Sequence, residues 1–184
     1  MEFQLHTAET ASETSWKLLQ EVQKAYGFIP NIYKVFAESP VALSTYMHIT
    51  HQLGEHGALS PQEQQLVMLA VSESNRCEYC VAAHSTVAEM AKVPEETINA
   101  LREGQDPEDP KEAALVNFAR SVLQNQGWIP EGDQQAFLEA GYTKRHVLDV
   151  LSILALKTLS NYTNHLAETP LDEAFASHKW EAKD

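Results

Sequence analysis

Residues 59–85, LSPQEQQLVMLAVSESNRCEYCVAAHS, decide the fold class of this chain. Ser60, with Glu63 three positions later, has the pattern of a capping box, in which each side chain satisfies a free backbone N–H at the start of a helix. The helix that follows is apolar on nearly every side from Leu66 to Val71, which is typical of a helix buried all round. This stretch therefore predicts a central helix with a second helix directly after it.

The break between these two helices falls at Asn75, a residue that tolerates the left-handed conformation with which many helices end. The second helix restarts at Cys77. It carries Cys77 and Cys80 in its first turn, and we expect the whole cysteine core to span about residues 59–92.

The rest of the chain has the same helical periodicity, because apolar residues recur at intervals of three and four and no stretch alternates for more than a few positions. We therefore predict an all-α fold in a single domain over residues 1–184. The further predicted helices are 14–26, ending at Gly27; 31–36; 41–53, closed by Gly54 and Gly57; 94–103; 111–126; 131–140; and 143–159.

A weak internal duplication accompanies this pattern. The tetrapeptide GFIP at 27–30 is echoed by GWIP at 127–130, in each case between two predicted helices. Residues 60–79 also superpose on 143–162, each with a buried helix followed by a predicted break and an aromatic residue.

The charge of the chain argues against two classes of partner. Thirteen Lys and Arg against 26 Asp and Glu give a formal charge of -13, which repels nucleic acid phosphates and anionic lipid surfaces. The N-terminus has no secretory pattern, and no apolar run approaches the ~20 residues of a membrane helix. We therefore expect a cytoplasmic protein, with neither nucleic acid nor membrane as a partner. In a reducing compartment a CxxC pair is typically catalytic or metal-binding.

The chemistry of the pair follows from its position on a helix. Cys77 and Cys80 lie three positions apart, at a spacing that lets them form a disulfide without moving the backbone. The positive end of the helix dipole favours a thiolate there. His84, one turn beyond Cys80 on the same face, is suited to exchange a proton with that sulfur near neutral pH. These residues favour thiol redox chemistry.

Two other interpretations stay open on these residues. Buried cysteines can simply fill a core, although His84 would then be a coincidence. A zinc site built from Cys77, Cys80 and His84 needs a fourth ligand from a distant histidine, and the candidates for that ligand are His48, His51 and His165. A thioredoxin fold is disfavoured, since its CxxC follows a strand and no strand is predicted here.

Residues 59–85 resemble the core signature of the carboxymuconolactone decarboxylase superfamily, in its alkylhydroperoxidase AhpD-like, peroxidase-related branch. The signature is Glu, eleven residues, Cys-x-x-Cys, three residues, His, and the cysteines and histidine match at the right spacing. The flanking segments GFIPNIYKVFAESP and LSNYTNHLAETPLD extend the resemblance over roughly residues 24–173. It implies an AhpD-like helical bundle with a duplicated core, assembled as a trimer or hexamer.

The resemblance also implies roles for the three residues. Cys80 is the peroxidatic thiolate that attacks the hydroperoxide O–O bond, Cys77 resolves the sulfenic acid to a disulfide, and His84 belongs to the proton relay. An external dithiol then reduces the disulfide, so no bound cofactor and no metal is expected. The decarboxylases of the superfamily act without this pair, which argues against lactone decarboxylation.

One position departs from the signature, because Gln65 stands where the family has glutamate. An amide can orient His84 but cannot accept its proton. Glu73 is the best substitute carboxylate, although an ordinary solvated helix end explains it equally well. Tyr79 and His165 are candidates for lining the pocket.

The sequence therefore predicts a thiol-dependent hydroperoxide reductase with peroxiredoxin-type activity in antioxidant defence. The expected partners are a hydroperoxide substrate, a thiol or dithiol reductant and further copies of the chain. A general disulfide oxidoreductase and a stress-related binding protein with little turnover are the alternatives.

Overall fold

The computed structural model describes residues 2–183, and within them the chain forms nine α-helices and one short 3-10 helix, with no strand. The predicted all-α fold is confirmed. The elements are α1 (Glu13–Tyr26), α2 (Asn31–Phe36), α3 (Pro40–His56), α4 (Pro61–Ser74), α5 (Glu78–Met90), α6 (Glu95–Arg102), α7 (Pro110–Gln124), α8 (Glu131–Glu139), α9 (Lys144–Ala167) and the 3-10 helix Glu173–His178.

Helix α4 lies at the centre of the bundle, packed against α5, α6, α7 and α9. Ser60 and Glu63 form the predicted capping box at its start. Every residue from Leu66 to Val71 is buried. Val67 and Val71 face the larger of two apolar clusters while Leu66 and Leu69 face the smaller one, which explains why this helix is apolar all round.

The turn between α4 and α5 differs in detail from the prediction. Asn75 keeps a right-handed backbone, and the left-handed residue is Arg76, with φ 57°. The Asn75 side chain is engaged elsewhere, because its Nδ2 donates to Oδ1 of Asn161 at 2.9 Å. The turn leaves Cys77 as the N-cap of α5, with its N–H donated to the carbonyl of Ser72 at 2.9 Å.

Two predicted helix ends were wrong. Helix α3 runs through Gly54 and ends at His56, with Gly57 as its C-cap. Helix α9 extends to Ala167, eight residues beyond the predicted end at 159. The extension includes the polar residues Ser160, Asn161 and Asn164, whose side chains are buried on the inner face of α9.

The two halves of the predicted duplication fare differently. Gly27 and Gly127 both adopt positive φ, 81° and 89°, and the prolines three residues on are the N-caps of α2 and α8. The match of 60–79 with 143–162 is wrong at its end, because α9 is continuous where α4 breaks.

The C-terminal segment closes over the start of α5. Asp172 accepts hydrogen bonds from the backbone N–H of Asn31 and from the Tyr79 hydroxyl, and the ring of Phe175 meets that of Tyr79 edge-on. Arg102 binds the carbonyl oxygens of two later residues, His178 and Lys179. Across residues 2–183, no helix combines the length and apolar character needed to span a bilayer.

Candidate active site

The two cysteines occupy the N-terminal turn of α5 as free thiols. Cys77 is 0% exposed and Cys80 is 3% exposed. The N-terminal N–H groups and the dipole of α5 direct positive charge toward this turn, which stabilises a thiolate. Because so little of either residue is exposed, both sulfurs are shielded from solvent.

Helix α9 supplies polar groups opposite the cysteines. Nδ2 of Asn164 donates to Sγ of Cys80 at 3.1 Å and lies 3.8 Å from Sγ of Cys77. Oγ of Ser160 lies 4.0 Å from Sγ of Cys80. Asn161 is close enough to lower the pKa of Cys80, but its Nδ2 makes no hydrogen bond of ordinary geometry with the described residues. The two sulfurs thus face buried amide and hydroxyl groups of α9.

His84 connects three helices. Its Nδ1 lies 3.0 Å from Oε1 of Gln65 on α4, and its Nε2 lies 2.7 Å from Nζ of Lys157 on α9. An amide oxygen can only accept, so Nδ1 carries the ring proton and Nε2 accepts from the Lys157 ammonium. Burial and the positive charge of Lys157 both lower the pKa of His84 well below its ordinary value, which keeps the ring neutral.

The pKa values of the two thiols shift in opposite directions. Burial raises the pKa of Cys80, but a hydrogen bond from Cys77 and the charge of Lys157 outweigh it, and the net pKa lies well below that of an ordinary thiol. The Cys77 thiol donates that hydrogen bond, and with burial this raises its pKa. Of the two thiols, Cys80 is therefore the one that ionises more readily.

Two tyrosines border the site. Tyr79, between the cysteines, is buried and donates its hydroxyl to Asp172 at 2.6 Å. Tyr46 on α3 is buried near Cys80, and burial raises its pKa so that it stays a neutral phenol. Burial and the Asp172 carboxylate likewise raise the pKa of Tyr79.

Two candidates from the sequence lie away from the cysteines. Glu73 points toward α7, where the charge of Arg120 acts on it. Its carboxylate packs closely on Gly104, where an added Cβ would come within 3.1 Å of a carboxylate oxygen. His165 is on the exposed side of α9, with its ring centroid 6.4 Å from that of Tyr162. Neither is among the groups described above around the cysteine pair.

Neither of two surface cavities contains a cysteine. A cavity of about 450 Å³ lies between α7 and α8 and is lined by Arg120 and Asp133. A second, of about 250 Å³, lies between α3 and α9 and is lined by His48 and His56. Within residues 2–183, no three His, Cys, Asp or Glu side chains are grouped so as to hold a metal ion.

Sequence reasoning missed Tyr46 on α3 and, above all, the polar residues on the inner face of α9. Lys157, Ser160, Asn161 and Asn164 recur there at intervals of three and four, and all are buried. A lysine within an apolar helix was the available signal, because Lys is almost never fully buried without a partner.

The comparisons with known proteins agree with this fold. Residues 40–108 match the sequence model of the Carboxymuconolactone decarboxylase family. No curated protein matches the chain. The sequence match supports the resemblance to that superfamily, and the structural neighbours below share the AhpD-like fold.

Several solved structures share the fold over nearly the whole chain. A peroxidase-related protein with an alkylhydroperoxidase AhpD core, from Ralstonia eutropha JMP134, is 22% identical with a TM-score of 0.83, over 95% of this chain and 93% of its own. A peroxidase-related protein from Silicibacter sp. TM1040 is 18% identical with a TM-score of 0.80, over 95% and 92%. The debrominase Bmp8 in complex with 2,3,4-tribromopyrrole is 14% identical with a TM-score of 0.80, over 97% and 95%.

Proposed function

We propose that this AhpD-like chain is a thiol-dependent hydroperoxide reductase in which Cys80 is the peroxidatic residue and Cys77 the resolving one. The observation that carries the proposal is the geometry of the pair: both thiols lie in one helical turn, and Nδ2 of Asn164 donates to Sγ of Cys80 at 3.1 Å but lies 3.8 Å from Sγ of Cys77. A peroxidase of this kind needs one thiolate to attack and one thiol to resolve the product. The fold alone does not choose the substrate, since a debrominase has it too.

In the first step the Cys80 thiolate attacks one oxygen of the hydroperoxide. An S–O bond forms, the O–O bond breaks, and the departing alkoxide takes up a proton to leave as an alcohol. The sulfur has lost two electrons and becomes a sulfenic acid. The amide of Asn164, 3.1 Å from the sulfur, stabilises its negative charge before the attack.

In the second step Cys77 attacks the sulfenic sulfur and water leaves, which forms the Cys77–Cys80 disulfide. An external dithiol supplies two electrons and two protons to restore the thiols, so no bound cofactor is needed. Burial of both sulfurs requires that this reductant reach a partly opened site.

The same burial argues against the first alternative, a general disulfide oxidoreductase. Such an enzyme must bring its attacking sulfur to a disulfide on another protein, and Cys80 is 3% exposed. The second alternative, a binding protein with little turnover, is favoured by Gln65, which cannot carry the charge of the family's glutamate.

Steady-state assays separate these functions. With dithiothreitol as reductant, we expect consumption of cumene hydroperoxide by the wild type and none above background by Cys80→Ser. Reduction of insulin disulfides without peroxide consumption would instead assign a disulfide oxidoreductase. A chain that forms its disulfide once but does not turn over would be the binding protein.

The proposal includes a homo-oligomer of at least three chains, joined through the outer face of α9. That face exposes four apolar side chains, Leu148 and Leu151 near the start of the helix and Tyr162 and Leu166 near its end, at spacings of three, eleven and four that keep them on one side. The inner face of the same helix forms the site, so the two sides of α9 serve assembly and chemistry separately.

A further inference from the structure

We infer that Lys157, rather than a histidine base, holds Cys80 in its reactive thiolate form, and that Gln65 and His84 act by fixing the Lys157 ammonium in place. This inference rests on the proposed function and names the positioning residues of the same site. It makes Lys157 a required part of the site at a position that the superfamily signature does not include.

Both nitrogens of His84 are occupied. Nδ1 donates to Oε1 of Gln65 at 3.0 Å, and Nε2 accepts from Nζ of Lys157 at 2.7 Å. A general base for Cys80 needs a free ring nitrogen within reach of the sulfur. In this arrangement neither ring nitrogen of His84 is free. His84 therefore acts by positioning the Lys157 side chain.

Gln65 determines which of the three hydrogen-bonded side chains carries the positive charge. A glutamate there would place an anion beside the ring and favour the imidazolium form of His84. The amide is neutral, so among the three hydrogen-bonded side chains Gln65, His84 and Lys157 the formal charge lies on the Lys157 ammonium. The neutral Gln65 therefore leaves the positive charge on Lys157 rather than on His84.

A buried ammonium needs an anion. Lys157 is 0% exposed, and among the ion pairs formed within residues 2–183 none includes it. Taking a lone ammonium out of water is costly unless an opposite charge lies nearby. The charge of Lys157 acts on Cys80 and lowers the pKa of that thiol. The thiolate of Cys80 is thus the counterion of Lys157.

The other titratable groups that face the cysteine pair do not take this role. Cys77 on α5 has a raised pKa, and the phenols of Tyr46 on α3 and Tyr79 on α5 do as well, so all three stay neutral. Asp172 from the C-terminal segment is bound to Tyr79 and to the N-terminus of α2. Cys80 remains the group whose ionisation balances the lysine.

The test is the pH dependence of Cys80 alkylation by iodoacetamide, measured with Cys77→Ser present in every variant. Lys157→Met should raise the midpoint by about one to three pH units, the range for loss of a nearby opposite charge. Lys157→Gln, which keeps a polar end group but removes the charge, should do the same. His84→Gln still offers Lys157 an oxygen acceptor, and its midpoint should rise by less than one unit. An unchanged midpoint in both lysine variants, or a larger shift in His84→Gln, would overturn the inference.

A measurement on the wild type covers the case in which the lysine variants do not fold. Nitrogen NMR should find His84 as the Nδ1–H tautomer, without titration, from about pH 8 down to pH 5.5. Titration of His84 in step with Cys80 reactivity would identify a histidine base and overturn the inference. Neither experiment uses peroxide, so a shifted midpoint without peroxidase activity would preserve the role of Lys157 and reject the proposed function.

Discussion

Asn164 donates its side-chain amide to the sulfur of Cys80 at 3.1 Å, across the contact between α9 and α5. The two residues are 84 positions apart in the chain, and both are buried. The amide lowers the pKa of the Cys80 thiol together with Cys77 and Lys157. The pKa of Cys80 therefore depends on how α9 packs against α5. Removal of this one contact should change that pKa measurably.

Asn164→Leu should raise the alkylation midpoint of Cys80, because a hydrogen bond to a charged group contributes about 1.5–3 kcal/mol, or roughly one to two pH units. Asn164→Asp should raise it further, since a carboxylate would face the thiolate. His165→Asn is the matched control, an exposed neighbour on the same helix, and should leave the midpoint unchanged. Equal midpoints in Asn164→Leu and the control would reject the contact's role.

The two cysteines should differ in what they leave behind after one exposure to hydroperoxide. Cys80→Ser should not react, since the attacking sulfur is gone. Cys77→Ser should react once and retain a sulfenic acid on Cys80, which dimedone traps and mass spectrometry locates. Dimedone on Cys77 in the Cys80→Ser variant would reverse the two roles.

The lowered pKa of His84 makes the protein sensitive to acid. The folded state keeps His84 neutral, whereas the unfolded chain binds a proton below about pH 6.5. The unfolded state then holds more protons, so stability falls with falling pH by up to about 1.4 kcal/mol per unit until the folded pKa is reached. Urea denaturation at pH 7.5, 6.5 and 5.5 measures this slope.

The control for this slope carries Cys77→Ser and Cys80→Ser, which remove the thiols that also titrate. In that background His84→Gln should flatten the decline between pH 6.5 and 5.5. An equally steep decline with and without the histidine would assign the acid sensitivity to other groups.

The outer face of α9 should hold the oligomer together. Leu151→Glu places a charge among its exposed apolar residues and should lower the sedimentation mass. Leu138→Glu on α8, at a similar exposure, should not. A wild-type mass of 20.6 kDa at micromolar concentration would contradict the assembly, and an unchanged mass in Leu151→Glu would place the interface elsewhere.

The parts of the site that the sequence predicts are those set by local spacing. A CxxC pair after a helix break, with a histidine one turn later, places Cys77, Cys80 and His84 on one element whatever the rest of the chain does. The contact of Gln65 with His84 follows the family signature. Apolar periodicity predicts helix α4, and the Ser60–Glu63 pattern predicts its N-terminal cap.

The contributions of α9 could not be predicted in this way. Lys157 reaches His84 over 73 positions, through packing that no local pattern encodes. The predicted end of this helix at 159 also removed Ser160, Asn161 and Asn164 from consideration. Ser and Asn have a low intrinsic helix propensity. Here they are buried against the cysteines, and these tertiary contacts override the local preference.

The most direct test of the central claim is a thiol titration of the reduced protein before and after one equivalent of cumene hydroperoxide, without any reductant. The account predicts two titratable thiols per chain before and none after, with one cumyl alcohol released and a Cys77–Cys80 disulfide seen by mass spectrometry. Two thiols still present after the peroxide, with the hydroperoxide recovered intact, would contradict it.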